Sequence, residues 1–455
     1  MKKIIYFLYP LLVLQLSGCS SFLDVEPRSS VSDEVTIVDA SSAATAVRGI
    51  YSALRSNDYY GYSFQLLGFF SADNIVYRGS QTVHQTLTNH SVKSDLAVLA
   101  TAWNQIYATI NRTNHVISKV PNLALTTTFT EAYRNQLVGE AYFVRALAYF
   151  DLARTWGGVQ IVLQPTTSAS SLPQVKRSSL ADTYAQVLQD LQKAEQLLPN
   201  DTNRIRATKK TARALLARFY LYQKNWSEAI KYASYIIDDN ANYSLVNPYR
   251  SFYANNTSNT KESVFELVYD INNTSGQTSQ WLSGNNGGTA WIRPSQGIYD
   301  LLVDPTIGGD RAALVSKTTS STDPNILIGN LYYRTDRTDP AFLIRTAELY
   351  LIRAEALAQR NGPGDLTAAL ADLNAIRSRA NIKPLQGLGA AALLQAVEDE
   401  NRVEFALENH RWYDLLRTGR AQQVLNISSA NRLLLPIPYA QVSIDPDLQQ
   451  NPGLD

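Results

Sequence analysis

Carboxylates and one histidine recur at helical spacing in the segment ENRVEFALENHRWYDLLRTG, residues 400–419. Glu404 and Glu408 lie one helical turn apart, as do His410 and Asp414, so each pair can share one face of a helix. Paired carboxylates serve as acid and base in glycoside hydrolysis, although their separation is a three-dimensional property. The residues that suggest a catalytic cluster are Glu400, Glu404, Arg411 and Asp414. The favoured interpretation is structural: a charged network that ties the last helix to the C-terminal tail.

Other signatures of catalysis are missing from the sequence. Its four histidines do not form an HExxH or similar metal-binding spacing, and it contains no GxSxG motif. We therefore assign no catalytic residue, no metal ligand and no cofactor, and we expect a binding protein rather than an enzyme. A surface-anchored hydrolase is the less favoured alternative. Whether a structural calcium ion sits among the Asp- and Asn-rich loops stays open.

The overall charge of the chain is nearly balanced, with 41 Lys and Arg against 40 Asp and Glu. No run of basic residues is present, so we expect no nucleic-acid partner. Apolar residues make up 45% of the chain, which is enough for a sizeable core.

Two loop stretches, residues 73–78 and about 280–299, carry the mixture of side chains that recognises sugars. An aromatic ring covers the apolar face of a sugar, while carboxylates, amides and guanidinium groups bind its hydroxyls. We expect both stretches to form one ligand-binding face, with Tyr77 and Trp291 as stacking platforms. For Trp281 and Trp291 the alternative is a structural role, in which each ring fixes its loop onto the helices. The candidate ligand-binding residues are Asp73, Asn74, Tyr77, Arg78, Trp281, Trp291, Arg293 and Tyr299.

A strong helix is predicted over residues 131–156, and the rest of the chain is expected to be organised around it. This stretch is rich in Ala, Leu, Arg and Glu and contains no Pro, and the paired glycines at 157–158 end it. Its Arg-Ala dipeptide at 145–146 recurs at 213–214 and at 353–354. Each copy has the pattern helix, polar turn, helix, with a small residue where two helices would cross. The repeat predicts stacked helical hairpins of the tetratricopeptide type.

The remaining chain divides into helical and loop-rich stretches. Further helical regions are predicted at residues 40–55, 94–120, 179–198, 208–239, 344–380 and 390–418. Residues 57–88 are expected to be rich in loops. Residues 240–338 form an insertion without helical period, and insertions of this length are usually functional. Within it, residues 262–269 alternate like a strand, and the Pro-containing tail is expected to run extended over the body.

The N-terminus has the features of a lipoprotein signal. Lys2 and Lys3 precede an apolar segment at 4–16 that is too short to span a bilayer comfortably. The sequence Leu-Ser-Gly-Cys at 16–19 then resembles a lipobox, and Cys19 is the only cysteine of the chain. We expect residues 1–18 to be removed and Cys19 to be acylated, which leaves residues 19–39 as a tether. An ordinary signal peptide with a chance cysteine is the alternative.

Four blocks in sequence resemble the SusD/RagB family of outer-membrane nutrient-uptake lipoproteins. The blocks are CSSFLDVEP, AYFVRALAYFDLARTWGGVQIV, RAEALAQRNGPGDLTAALADLNAIRSRA with ENRVEFALENHRWYDLLRTG, and LLPIPYAQVSIDPDLQQNPG. Their order and spacing cover nearly the whole chain. Asn401 and Asn409 stand where the family more often has Arg and Gly.

The resemblance implies a mainly α, SusD-like fold, with one domain at residues 40–455 and a loop-rich insertion with minor β structure at about 240–338. It also implies a lipid-anchored protein on the outward face of the outer membrane. Such a protein captures oligosaccharide and passes it to a SusC-like TonB-dependent barrel. A peptide ligand, as in RagAB-type uptake systems, is the alternative. A pure interaction scaffold is a further alternative, but the aromatic, amide-rich insertion favours a ligand.

Overall fold

A computed structural model describes most of the chain. It covers residues 37–81, 83–167, 175–320, 323–445 and 447–454. The predicted signal peptide, Cys19 and most of the tether lie outside the described residues. None of the helices in the described ranges combines the length and apolar character that a membrane-spanning helix needs.

Helices dominate the structure, as the sequence predicts. The longer helices are α1 (Ala40–Arg55), α2 (Ser63–Phe70), α4 (Ala97–Lys119), α5 (Glu131–Trp156), α6 (Leu180–Leu197), α7 (Lys209–Tyr222), α8 (Trp226–Ile237), α10 (Gln296–Val303), α11 (Thr346–Arg360), α12 (Asp365–Arg379) and α13 (Ala390–Glu404). The shorter ones are α3 (Val83–Thr88), α9 (Thr278–Trp281), α14 (Arg411–Arg417), α15 (Ala421–Leu425) and α16 (Tyr439–Val442).

The ends of α1 and α5 follow from local sequence. The Asp39 carboxylate accepts a hydrogen bond from the backbone N–H of Ser42 at 2.7 Å, which satisfies a free donor at the start of α1. Thr130 caps α5 in the same way. Helix α5 ends at Gly157, whose φ of 84° lies in the region that glycine adopts without strain.

The helices pack as a series of neighbouring pairs. Helix α5 packs against α4 and α6, α7 follows α6 and pairs with α8, and α8 leads to α11, which pairs with α12. Ala146, Ala214 and Ala354, the small residues of the repeated dipeptide, are all fully buried. A large side chain at these positions would have no space, so the repeat marks close helix packing.

The arginine of each repeated dipeptide forms an ion pair. Arg145 on α5 makes a two-point contact with Asp190 on α6, with both N–O distances 2.8 Å. Arg353 on α11 contacts Asp372 on α12 in the same manner. In the middle copy Arg213 pairs with Glu195 at 2.8 Å. The Arg-Ala repeat therefore supplies a tight contact and a charged clamp to the neighbouring helix.

Three small antiparallel sheets accompany the helices in the described chain. The strands are β1 (Ile75–Tyr77), β2 (Ser263–Leu267), β3 (Ile292–Pro294), β4 (Val315–Thr318), β5 (Ile326–Gly329) and β6 (Ala341–Arg345). Strand β1 pairs with β3, β2 with β6, and β4 with β5. The strand predicted within 262–269 is confirmed as β2, and the minor β structure lies mostly in the insertion.

The interpretation of residues 57–88 as loop-rich is wrong for its middle part. This stretch contains α2, in which every residue is buried. Its sequence SFQLLGFF has no polar face, so it shows no amphipathic period and its helical character could not be recognised.

The charged network near the C-terminus has different partners from those predicted. Glu404 contacts Arg311 of the insertion, Arg345 at the end of β6 and Arg379 of α12. Glu400 joins the network through Arg311, at 2.6 Å. The network therefore ties α13 to the insertion and to the third helical hairpin, α11–α12. The prediction that it ties the last helix to the tail is wrong. The predicted region 390–418 is also divided, because a turn at 405–410 separates α13 from α14.

The C-terminal tail runs over the body, as predicted. The indole N–H of Trp156, at the end of α5, donates to the carbonyl of Pro436 at 3.0 Å. The amide of Asn451 donates to the carbonyl of Trp156 at 3.0 Å. One hydrophobic cluster extends from Ile37 to Leu448 and includes residues of the hairpins and of the insertion. The division into signal peptide, tether and single domain itself stays a prediction.

Candidate functional site

The two loop stretches singled out in the sequence meet in the structure. Strand β1 comes from the first stretch and β3 from the insertion, and they pair with Val76 opposite Arg293 and Tyr77 opposite Ile292. The pairing continues beyond the strands, where the backbone N–H of Arg78 donates to the carbonyl of Trp291 at 2.7 Å. The backbone thereby brings Tyr77, Arg78, Trp291 and Arg293 together.

Tyr77 supports Trp291 from within the structure. Their ring centroids lie 6.3 Å apart with an interplanar angle of 71°, which is an edge-to-face contact. Tyr77 is only 9% exposed and also packs against Phe70 and His84, whereas Trp291 is partly exposed. The ring that a ligand could cover is therefore that of Trp291, and the placement does not favour the predicted role of Tyr77 as a second platform.

Gly79 allows the chain to pass directly over both rings. A Cβ atom at this position would lie 2.1 Å from the Tyr77 hydroxyl oxygen and 2.9 Å from Cδ2 of Trp291. Both distances are too short for a real carbon atom, so any other residue would require the rings to move. The geometry of the aromatic pair thus depends on the glycine.

Charged residues neighbour Trp291 along the paired β1 and β3 segments. Arg78 is exposed. Arg293 donates through Nε to the carbonyl of Ala290 at 2.7 Å and pairs through Nη1 with Asp323 at 2.8 Å. The hydrogen bond from Arg293 lowers the pKa of the Asp323 carboxyl, and the backbone N–H of Asn325 acts in the same direction. Asp323 is therefore ionised at neutral pH and holds the Arg293 guanidinium in place.

Tyr299, on α10, has a cationic neighbour. The ammonium group of Lys317, on β4, lies 4.6 Å from the centroid of the Tyr299 ring. This is the geometry of a cation–π contact. We call the set Arg78, Trp291, Arg293, Tyr299, Lys317 and Asp323 the insertion surface.

Three other candidate residues have structural roles in this fold. Trp281 is fully buried and packs against Phe69 and Tyr332 at centroid distances of 5.8 and 5.7 Å. It has no open face for a ligand and fixes the insertion onto the helices, which was the alternative interpretation. The side-chain amide of Asn74, 2% exposed, accepts from Arg402 Nε at 3.0 Å.

Asp73 is held by two arginines of the C-terminal helices. Its carboxylate contacts Arg402 Nη2 at 2.8 Å and Arg411 Nε at 3.0 Å. The Ser295 hydroxyl donates to the backbone carbonyl of Asp73 at 2.7 Å. Asp73 and Asn74 therefore anchor the first loop stretch between the insertion and α13–α14. Asn74 is buried and Asp73 is paired with arginines, so the placement does not favour their predicted role in binding sugar hydroxyls.

Lys317 and Asp323 were not among the candidates. Both lie in or beside the β4–β5 hairpin, and their partners Tyr299 and Arg293 are distant in sequence. A single sequence gives no signal for such long-range pairs. The sequence indicates only that Lys317 and Asp323 belong to the polar insertion.

The described part of the chain lacks a metal-binding cluster, and one candidate catalytic carboxylate is buried in an ion-pair network. No group of three or more His, Cys, Asp or Glu residues in these ranges could hold a metal ion. Glu404, a candidate catalytic carboxylate, is fully buried and contacts three arginines. Burial opposes its ionisation, but the guanidinium groups outweigh this effect and hold the pKa of Glu404 below its ordinary value. It therefore acts as a structural counter-ion in this fold.

Several cavities lie away from the insertion surface. One of about 450 Å³ lies between α4 and the tail, one of about 320 Å³ lies between α11 and α13–α14, and one of about 470 Å³ lies beside the end of α1. None of these three is lined by Trp291 or Arg78. The insertion surface is therefore distinct from them.

Comparison with known proteins identifies the family. A family model described as "Starch-binding associating with outer membrane" matches residues 21–221, and the model of the SusD family matches residues 329–433. The curated SusD-like protein P38 of Formosa agariphila is 26% identical, over 96% of this chain and 96% of its own.

Solved structures share the fold. A SusD superfamily protein from Bacteroides vulgatus superposes with a TM-score of 0.81 at 23% identity, covering 91% of this chain and 99% of its own. A structure described as a laminarin-binding SusD-like protein gives a TM-score of 0.78 at 22% identity, covering 92% and 100%. The chain belongs to the SusD/RagB family and has its mainly α fold.

Proposed function

We propose that this protein captures an oligosaccharide on the insertion surface and delivers it to a SusC-like TonB-dependent barrel in the outer membrane. The observation that carries the proposal is the β1–β3 pairing, which puts the partly exposed Trp291 indole beside Arg78 and Arg293. An indole supported from behind by Tyr77 offers a flat, rigid face for a sugar ring. Trp281, Asp73 and Asn74 are not part of this proposed contact.

The polar groups of the insertion surface suit sugar hydroxyls. Arg78 carries a guanidinium exposed to solvent, and the Arg293–Asp323 pair holds both donors and acceptors in fixed positions. Hydrogen bonds from charged groups are stronger than neutral ones. The laminarin-binding relative, whose fold is the same, supports a glycan as the ligand. Delivery to a barrel is the step that the family resemblance implies.

We infer that the protein binds its ligand without cleaving it. The C-terminal carboxylates that suggested acid–base chemistry are committed to arginines inside the fold. Glu404, whose charge is balanced by three guanidinium groups, is a poor general acid. The insertion surface contributes one carboxylate, Asp323, rather than a pair.

Replacing Trp291 with Ala is expected to weaken glycan binding at least tenfold. Truncation of a stacking aromatic that behaves as a hot spot costs about 2 kcal/mol or more. Isothermal titration calorimetry with the ligand found by glycan array, starting from laminari-oligosaccharides, measures the effect. Trp226→Ala is the matched control, because Trp226 is also partly exposed but begins α8. Equal affinities for both variants and the native protein would place the ligand elsewhere.

Changing Cys19 to Ala is expected to release the protein from the membrane fraction. The lipobox-like sequence at 16–19 motivates the test, since acyl chains on Cys19 would supply the membrane affinity. Fractionation followed by immunoblotting gives the result, with Ser30→Ala in the predicted tether as the control. A Cys19→Ala protein that stays with the membranes would contradict lipid anchoring at this residue.

A further inference from the structure

A polar cleft of about 470 Å³ lies beside the C-terminal end of α1. This volume is within the range of small-molecule binding sites, roughly 300–1,000 Å³. Its walls come from the end of α1, from α4 and from residues 269–274 of the insertion. The cleft is lined by Ser52, Ala53, Arg55, Ser56, Asn57, Gln105, Arg112, Tyr269, Asn272, Asn273 and Thr274.

The walls of the cleft are fixed by hydrogen bonds between these elements. The Gln105 amide on α4 donates to the carbonyl of Ala53 on α1 at 3.2 Å. The Asn57 side chain accepts from the backbone N–H of Gly276 at 3.0 Å, which attaches the insertion to the end of α1. A Cβ at Gly276 would lie 2.4 Å from the Asn57 side-chain oxygen, so this contact needs a glycine.

Two arginines in the cleft have no carboxylate partner in the described part of the chain. Arg55 donates through Nη1 to the carbonyl of Val268, and Arg112 donates through Nη1 to the carbonyl of Gly49, both at 2.9 Å. A guanidinium group has five N–H donors, so most of the donors of each remain available. The backbone contacts hold the two groups in place without neutralising them.

Several arginines inside the fold are instead neutralised by carboxylates. Arg145 makes a two-point ion pair with Asp190, and Arg218 does the same with Glu348. Backbone hydrogen bonds from Asn272 and Asn273 lower the pKa of the exposed Asp270 carboxyl, and the nearby Arg55 guanidinium acts in the same direction. No carboxylate lines the cleft, so its lining carries two positive charges.

We propose that this cleft binds an anionic substituent, a carboxylate or a sulfate, of an acidic saccharide. Guanidinium groups match the planar carboxylate and the sulfate oxygens, and the surrounding amides and hydroxyls match sugar hydroxyls. The assignment of a saccharide rests on the proposed function, whereas the binding of an anion rests on the cleft alone. The cleft and the insertion surface are both built where the chain near residues 55–78 meets the insertion.

The test compares a charged sugar with its neutral counterpart. Trigalacturonate is titrated against its methyl ester, and a sulfated galactan oligosaccharide against its desulfated form, at low ionic strength. We expect one of the charged probes to bind about tenfold more tightly than its neutral partner. Tighter binding of trigalacturonate indicates a carboxylate site, and tighter binding of the sulfated oligosaccharide indicates a sulfate site. Arg55→Gln and Arg112→Gln are expected to remove this preference and to leave the affinity for laminari-oligosaccharide unchanged.

Arg48→Gln is the matched control. Arg48 is an exposed arginine of α1 that lies outside the cleft and donates to Thr45, so its loss changes the net charge equally. The preference for the charged probe should survive in this variant. A native protein that shows no preference in either pair, or an equal loss in all three variants, would overturn the proposal. Trp291→Ala and laminari-oligosaccharide test the insertion surface independently of the cleft. A negative result for the cleft therefore leaves the proposed function standing, and a negative result for Trp291→Ala leaves anion binding in the cleft standing.

Discussion

Replacing Glu404 with Gln is expected to lower the free energy of unfolding by about 3–5 kcal/mol, because it leaves the buried arginines with one carboxylate too few to balance their charge. Glu404 is fully buried and contacts Arg311 and Arg345, each at 2.8 Å, and also Arg379. The complete network consists of four arginines and four glutamates. Its members are Arg311, Arg345, Arg377, Arg379, Glu262, Glu400, Glu404 and Glu408. Removing one carboxylate from this balanced set leaves a net positive charge away from water, although each arginine keeps another glutamate.

Urea denaturation of the two proteins measures this difference. Glu228→Gln is the control, because Glu228 is a partly exposed member of a surface pair with Lys231 and its loss should cost less than about 1 kcal/mol. The pKa of Glu404 is lowered in the folded state, so its contribution is fully present above its ordinary value of 4.5 and is lost as the pH falls further. The difference in free energy of unfolding between the native protein and Glu404→Gln should therefore become smaller in acid. Equal losses for Glu404→Gln and Glu228→Gln would contradict the role of the network.

Asp151→Asn is expected to destabilise the protein by about 3 kcal/mol, since it removes the counter-ion of a buried arginine. One carboxylate oxygen of Asp151 accepts from the hydroxyls of Tyr59 and Tyr60, both at 2.6 Å. The other accepts from Arg154 at 2.8 Å. The Arg154 guanidinium also lies 3.8 Å from the ring centroid of Tyr413. The neutral amide of Asn cannot balance this charge and offers only one accepting oxygen.

Tyr60→Phe is the matched control for this second network. It removes one hydrogen bond to Asp151 and keeps the ring, so a loss of about 1 kcal/mol is expected. The same urea experiments give both values, and the double variant measures the coupling between the two residues. An Asp151→Asn protein no less stable than Tyr60→Phe would show that the charge of Asp151 adds nothing beyond its hydrogen bonds.

The helical part of the fold was predictable because its signals are local. Residues 40–55 and 131–156 have clear caps, helix-forming residues and stops, and the structure has α1 and α5 over those same ranges. The Arg-Ala repeat also identified positions of close packing. Helix α2 was missed because it is apolar on all sides, and the turn at 405–410 was missed because no Pro or Gly marks it. The position of this turn is set by tertiary contacts, such as those of Glu404 and Glu408 with Arg345.

The candidate site was predictable in its location but only partly in its residues. Composition pointed to the two loop stretches, and the β1–β3 pairing brings them together. Which side chains face solvent depends on contacts across distant parts of the sequence, such as Asp73 with Arg402 and Trp281 with Tyr332. A linear pattern does not contain this information. It also cannot indicate that Arg55 and Arg112 remain unpaired, because that follows from which carboxylates lie nearby in space.

The position of Gly79 against Tyr77 and Trp291 has a consequence for how such a protein could change its ligand. The orientation of the Trp291 indole depends on the absence of a side chain at Gly79, a residue that lies far from Trp291 in sequence. A single added methyl group there would lie 2.1 Å from the Tyr77 hydroxyl oxygen, so the buried Tyr77 ring, and the indole that rests against it, would have to move. A change at one small residue outside the insertion would thus alter the proposed ligand contact and the packing of a buried tyrosine together.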